Sequence, residues 1–457
     1  MFSEEFGGFG VAAPTVRTRS RSQARARSGD ARQPAAHDVR PAAPPAAPAQ
    51  GSFTPQPRSR AGRGSSLTLQ RLVLLEAAVA LLLCGGAAGP FALVPASVVA
   101  VALLALAFVR RRGRALPEWL GTLLALRARR RRAASTPVPP DVEPGFAPAV
   151  ECDPSLRTCS YSGRDRRPVG MVGDGTFLSA VVQVEAAVTA LRAERERQPL
   201  PVKLVRDALE VDDIRLESAQ IVLHTQPAPA LHLAQHSVAV TNYAPLQAQT
   251  GAPAVRLTWI ALKLDPELCR EAVKARGGGL VGAQKCLVRA ADHLASRLTG
   301  AGFRTTLLDE EELTAAIATS VCADPLVTAE AGRSGTRERR TEESGRNWRC
   351  DNRRHTTYWI RRWPRLGGPG PSLPQVVALL TSVPALATTF SLTLSRAKRQ
   401  KTALCGHVRV TGRSDDELVA ARRMLEDAAR QAGVGLARLD REQVPGVLAT
   451  LPLGGAR

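Results

Sequence analysis

The chain has 457 residues, with 62 Lys and Arg against 41 Asp and Glu, a formal net charge of +21 and a sequence pI near 10.9. The basic excess is concentrated, with ten Arg against four acids in residues 1–69 and nine Arg against one Glu in residues 110–132. Charge gathered around one apolar stretch argues against a protein that coats nucleic acid with a folded basic face, so no nucleic acid is expected; eight Cys in this length exclude a disulfide scaffold.

Residues 1–66 are rich in Arg, Ser, Ala and Pro with almost no aliphatic periodicity. They cannot bury enough apolar surface to fold alone and are expected to form a disordered basic tail. From 72 to 109 the only charge is Glu76. A membrane span needs about 20 residues, from about 30 Å of hydrocarbon at about 1.5 Å of rise per residue. The stretch therefore predicts two transmembrane helices within 67–109, broken at Gly85-Gly86 and Gly89-Pro90, since Pro cannot continue the hydrogen-bond ladder. A secretory signal peptide fits less well, because the stretch starts far from the N-terminus. Arg58, Arg60, Arg63 and Arg71 before it, and Arg110, Arg111, Arg112 and Arg114 after it, place both flanks in the cytoplasm. The expectation is a multi-pass protein of the cytoplasmic membrane with both termini and all Cys on the reducing side.

Residues 110–132 predict a basic stem helix. Leu116, Trp119, Leu120, Leu123, Leu124 and Leu126 recur at helical spacing, and Arg127, Arg129, Arg130, Arg131 and Arg132 follow. Two readings stay open: an amphipathic helix on the inner leaflet with its arginines on anionic lipid headgroups, or a plain stem packed on a partner. Residues 133–149, with Pro137, Pro139, Pro140, Pro144 and Pro148, predict a semi-rigid linker.

An α+β cytoplasmic region is expected beyond, with unit 1 over 150–325 and unit 2 over 355–457. A charged flexible insert over 326–354 separates them. In unit 1 the patterning predicts a strand over 176–185, a helix over 202–210, strands over 214–225 and 255–264, a helix over 281–298 and a strand over 303–308. In unit 2 it predicts a strand over 355–363, a helix over 373–380 opened by Ser372 and Pro374, and strands over 388–395 and 403–411. A helix over 415–431 and a strand over 435–439 complete it. Both read β-α-β-β-α-β, the order of a ferredoxin-like unit. "GFRTTLLDEEEL" from Gly302 matches "GVGLARLDREQV" from Gly433, and Asp309 and Asp440 are each expected to cap a helix, with Glu312 and Gln443 as capping-box partners. Internal duplication is the reading, against chance recurrence of a common order.

Chemistry is sparse. Gly173-Asp174-Gly175 reads as a hairpin turn, since no Lys follows at phosphate-loop spacing. The run Gly277-Gly278-Gly279, with Gly282 and Lys285, reads as a strand-to-helix loop. Cys152 with Cys159, His232 with His236, and Cys405 with His407 each lack the further ligands a tetrahedral site needs. The acidic groups at Asp309–Glu312 and Asp415–Glu417 suit helix starts. No catalytic, cofactor or metal residue is assigned. His355, Cys405, His407 and Asp174 are the most catalytic-looking side chains.

The ordered series of segments resembles EccE, a membrane component of actinobacterial type VII (ESX-type) secretion systems. It comprises the Arg-rich exit at Arg110–Arg114, "VGDGTFLSAVVQVE" from Val172, "VTNYAP" from Val240, "LTWIALKLDP" from Leu257, the Gly277–Gly279 loop, "HTTYWIRRWP" from His355 and "LDREQVPGVLATLPLGG" from Leu439. The resemblance implies a non-catalytic structural subunit assembled with EccB, EccC and EccD, with no cofactor. The alternative is a membrane-tethered ligand-sensing or enzymatic protein built on ferredoxin-like units.

Overall fold

The computed structural model describes residues 56–57, 61–108, 110–111, 114–139, 142–163, 167–186, 199–226, 255–334, 338–366, 370–397 and 402–455. The tail over 1–55, the pair His232 and His236 and "VTNYAP" lie outside the described residues. Everything below concerns the unit Phe53–Arg457.

Helices α1 (Ala61–Ala87) and α2 (Pro90–Phe108) pack on each other across Gly89, whose φ of 103° needs a residue without Cβ. They approach through small residues: a Cβ on Gly85 would stand 2.6 Å from that of Ala96. The expectation of two transmembrane helices is corrected here. Among the described residues no helix is long and apolar enough to cross a membrane. The physical reasons lie in the sequence of each helix. α1 opens on Ala-Gly-Arg-Gly-Ser-Ser and keeps Arg71 and Glu76 inside it. α2 has 19 residues and an internal Pro95, and at 1.5 Å per residue it reaches only about 28 Å. The multi-pass topology rested on those spans and goes with them.

Helix α3 (Leu116–Ser135) follows, then α4 (Ala147–Cys152). The linker expectation over 133–149 holds for none of its second half. Val142, Phe146, Ala149 and Val150 are buried with Leu313 and Ile317, because the Pro-rich run carries apolar side chains as well.

The main sheet has thirteen strands, counting Gln56–Pro57, which pairs in parallel with the strand at Ala403 and Leu404. In chain order the others are β1 (Arg157–Tyr161), β2 (Val169–Gly173), β3 (Leu178–Ala186), β4 (Ser218–Gln226), β5 (Val255–Leu264) and β6 (Phe303–Leu307). β7 (Thr341–Glu343), β8 (Trp348–Cys350), β9 (Arg353–Arg362), β10 (Ala387–Arg396), β11 (Thr402–Gly412) and β12 (Gly435–Arg438) follow. In the first half β6 pairs β3, β3 pairs β5 and β5 pairs β4, all antiparallel. In the second half β12 pairs β9, β9 pairs β11 and β11 pairs β10, again antiparallel. Each half therefore has the strand order of a ferredoxin-like unit. The halves join through their equivalent strands, β4 on β10, so one sheet runs through both.

One face is covered by α5 (Val202–Asp207), α6 (Arg270–Ala275), α7 (Gly279–Gly300), α10 (Leu373–Thr381) and α11 (Asp415–Gln431) over a core that crosses the join. Ile260 lies between Val182 and Ile221. Val408 lies between Tyr358 and Phe390 in the second half. All six are buried, and burying each such side chain contributes about 1.5–3 kcal/mol. α7 places Ala283, Cys286, Leu287, Ala290, Ala291, Leu294 and Leu298 on its buried stripe, which is the helical spacing the sequence shows. The opposite face carries α4, α8 (Glu310–Ser320) and α12 (Gln443–Leu448), with a second core around Trp259, Trp348, Ile317 and Val447. Helix α9 (Pro325–Ser334) has no buried residue.

Two further expectations change. The flexible insert is folded from 338 onward. β7 and β8 form a hairpin in front of β9, just as β1 and β2 precede β3. The turn into β9 uses Asp351 at φ 52° where the turn into β3 uses Gly175 at φ 89°. Trp348 and Cys350 are fully buried, and Arg340 is paired with Asp351 at 2.7 Å, both almost wholly buried. Those contacts order a segment whose composition alone reads as solvated. The second cap is the other change. Asp309 makes the expected capping box with Glu312, but Asp440 does not cap α12. The chain turns at Arg441, φ 63°, and the Asp440 carboxylate accepts instead from Arg438 at 2.5 and 3.1 Å. Gln443 reaches back to donate to the Leu439 carbonyl and accepts from Thr357 N–H.

Candidate functional site

The catalytic-looking side chains lie on β9, β11 and the β2–β3 turn. Asp174 accepts from Thr176 N–H at 2.8 Å and from its hydroxyl at 2.6 Å, which fixes the β2–β3 turn. His355 is buried on β9 against Trp348, ring centroids 4.9 Å apart, with Nδ1 bonded to the Thr411 hydroxyl. Cys405 and His407 sit two apart on β11, opposite Thr393 and Ser391. Burial pushes the Cys152 and Cys350 thiols far up, so neither offers a thiolate near neutrality. Among the described residues Cys84, Cys152, Cys159, Cys269, Cys286, Cys322 and Cys350 are free thiols, and no group of His, Cys, Asp and Glu could hold a metal. The glycine run does serve a loop. Gly277, Gly278 and Gly279 all have positive φ ahead of α7, and Gly282 lets α7 pass so near α6 that a Cβ would meet the Val273 carbonyl at 2.3 Å.

A buried polar seam follows the join between the halves. The C-terminal segment closes over it: Ser179 donates to the Leu453 carbonyl, Ser218 to that of Gly454, and Gln220 to the Ser391 hydroxyl and the Ala449 carbonyl. Next along is His224. Its Nε2 lies 3.0 Å from the Gln226 amide nitrogen, which can only donate, so Nδ1 carries the proton and donates to Thr389 at 2.9 Å. Arg409, fully buried, donates to the Ser320 carbonyl and to Thr389, while its Nε and Nη1 have no partner among the described residues.

This seam has a pH consequence. Burial first, and the Arg409 charge second, push His224 down to about 3, and the same causes hold His355 well below its ordinary value. Both folded pKa values lie below the unfolded one, so the unfolded chain binds more protons between them. Their contribution is fully present above about pH 6.5 and is lost as pH falls toward the folded value, with a slope of up to about 1.4 kcal/mol per unit for each. Urea midpoints should therefore be lower near pH 5 than near pH 7, and His224→Gln should flatten the difference. Equal midpoints in the parent protein would contradict a neutral buried pair.

A further polar cluster lies where α3 meets the domain. Glu343 on β7 is buried and accepts from Arg129 Nε and Nη2 at 2.8 and 3.0 Å and from Val444 N–H at 3.0 Å. Arg129 also donates to the Arg441 carbonyl at 2.6 Å, and the Arg441 guanidinium lies 4.7 Å over the Trp119 ring. Arg130 Nε donates to the Glu343 carbonyl. Arg129 therefore turns to the domain rather than to a lipid headgroup, because the Glu343 carboxylate accepts from it, while Arg130 gives only its Nε to a domain carbonyl. The side chains of Arg110, Arg111, Arg112 and Arg114 lie outside what is described. A second buried carboxylate, Glu151 of α4, accepts from the backbone N–H groups of Arg340 and Thr341, which closes the free edge of β7. Between α3, α4 and the β7–β8 hairpin lies a groove of about 710 Å³, lined among others by Arg130, Arg132, Ala134, Pro154, Trp348 and Val444. Glu151, Glu343 and Arg409 are not marked by any motif in the sequence. A signal for β7 and β8 was available in the alternation Trp348-Arg349-Cys350 after Thr341-Glu342-Glu343.

Residues 252–360 match a family described as "Putative type VII ESX secretion system translocon, EccE". They cover β5, α6, α7, β6, α8, α9 and the β7–β8 hairpin, and end inside β9. No curated protein matches the chain. The match takes in three of the segments that carry the resemblance: "LTWIALKLDP", the Gly277–Gly279 loop and the start of "HTTYWIRRWP". Over those residues the chain is thus similar to the EccE family.

Proposed function

We propose that this protein is a non-catalytic subunit of a type VII secretion complex, and that its α+β region assembles with other components, EccB, EccC and EccD among them. The family match over 252–360 carries the reading. The disposition of polar groups supports it: Glu343, Glu151, Asp174 and His224 are each bonded within the fold. Purification of the tagged full chain from membranes in mild detergent should recover those three proteins; recovery of the chain alone would overturn the proposal.

A second measurement separates subunit from enzyme. Single Ala substitutions at Asp174, His355, Cys405 and His407 should leave secretion intact wherever the protein still accumulates. Loss of a general acid or base typically costs about 10²–10⁴ in rate. One such variant that abolishes secretion while the complex still assembles at normal abundance would restore the enzymatic alternative.

A further inference from the structure

The groove beside the stem has charge left over. Three of its four carboxylates face a guanidinium inside the fold: Glu343 faces Arg129, Glu342 faces Arg349 at 3.1 Å, and Glu151, held by the N–H groups of Arg340 and Thr341, lies 3.9 Å from Arg339, while Asp153 bonds only the neutral Ser155 and offsets part of the remaining positive charge. Arg339 is engaged as well, donating to the carbonyls of Ala133, Glu151 and Thr341. Two guanidiniums are not neutralised. Arg130 has only its Nε bonded, to a carbonyl, and Arg132 has no side-chain partner among the described residues; both are exposed. Beside them the lining is apolar, from Ala133, Ala134, Pro154 and Val444.

Such a site is completed by a ligand that brings both carboxylates and apolar side chains. Guanidiniums favour carboxylates through paired, charge-assisted hydrogen bonds, and a cavity of about 710 Å³ falls in the usual range for a binding site. We propose that this groove docks a short acidic and apolar peptide segment of another subunit of the complex. The proposal rests on the subunit reading above and adds where on this chain one partner is held and by what chemistry.

The test uses the full-length chain in mild detergent, titrated with a fluorescein-labelled peptide of alternating Glu and Leu. Binding is expected, and Arg130→Glu with Arg132→Glu should weaken it at least about tenfold, since like charges then face each other. Arg132→Glu alone removes no side-chain hydrogen bond of the described fold and should already give part of the loss, so misfolding cannot stand in for the effect. Peptides with Gln for Glu, or Ser for Leu, should each bind more weakly. Unchanged affinity in Arg132→Glu would overturn the proposal. So would a Ser-for-Leu peptide that binds as well as the parent, or displacement of the peptide by vesicles of phosphatidylcholine with added phosphatidylserine. Copurification reads the subunit proposal separately: a chain that binds the peptide but recovers no EccB, EccC or EccD refutes membership and leaves the groove standing.

Discussion

Glu343→Ala is expected to lower stability by about 3 kcal/mol and to free the stem helix from the domain. The carboxylate is buried and serves three donors on two elements, Arg129 of α3 and the first turn of α12 at Val444. Removing it strands a guanidinium that is 25% exposed, together with a backbone N–H. Loss of a charge-assisted bond costs about 1.5–3 kcal/mol and an orphaned buried donor adds to it, while partial exposure of Arg129 keeps the total below the fully buried case. Urea denaturation should show a lower midpoint, and limited proteolysis should cut within α3 before the domain unfolds. Arg129→Lys keeps the charge but not the two-pronged geometry, so a smaller loss of about 1 kcal/mol is expected. An unchanged midpoint with α3 still protected would mean that the remaining contacts, Arg130 with the Glu343 carbonyl and Arg129 and Trp119 with Arg441, seat the stem without the carboxylate.

The elements legible in the sequence are those whose information is local. α11 was readable because Ser414 caps it by accepting from Glu417 N–H and because Leu418, Ala421, Leu425 and Ala429 form one buried stripe. β5 was readable from its run of apolar and β-branched residues, and its bounds agree with the expectation. What could not be read depends on partners far along the chain. Arg340 looks solvated until Asp351 and the Pro144 carbonyl are placed beside it. Glu343 looks like any strand-edge acid until Arg129 arrives from more than 200 residues away. Asp440 shows the opposite failure: a correct local motif, Leu-Asp followed by Gln, was overridden when the backbone at Arg441 took a positive φ. The candidate site was the least legible part. The stem arginines were visible as a charged run, but nothing local says that Arg129 is neutralised by the domain while Arg130 and Arg132 are not.

Ile221→Asp should unfold both halves together, and that outcome follows from how they are joined. Ile221 lies on β4, buried, opposite Ile260 of its own half and Leu392 of the other. The next pair along the join, Leu223 with Phe390, continues the same face. The core beneath is continuous from Val182 to Val408, so neither half has an apolar face of its own at β4 or β10 that could tolerate water. A carboxylate there has no donor to satisfy it and must either be buried charged or protonate at a cost, a loss of at least about 4 kcal/mol. The polar seam on the opposite face gives way at the same time, because Gln220 beside Ile221 bonds Ser391 of β10 and the Ala449 carbonyl. Denaturation of two variants, one keeping only Trp259 in the first half and the other only Trp348 in the second of the five tryptophans, should therefore give one coincident transition, and Ile221→Asp should shift both signals equally. Two separated transitions, with the Trp348 signal unmoved by the substitution, would show that the second half stands alone and that the join is a contact between independent units. In that case the loss of a partner in the complex could be traced to one half. With a single transition, any variant that opens the join must cost the whole region, and with it the stem and the groove that Glu343, Glu151 and Val444 hold in place.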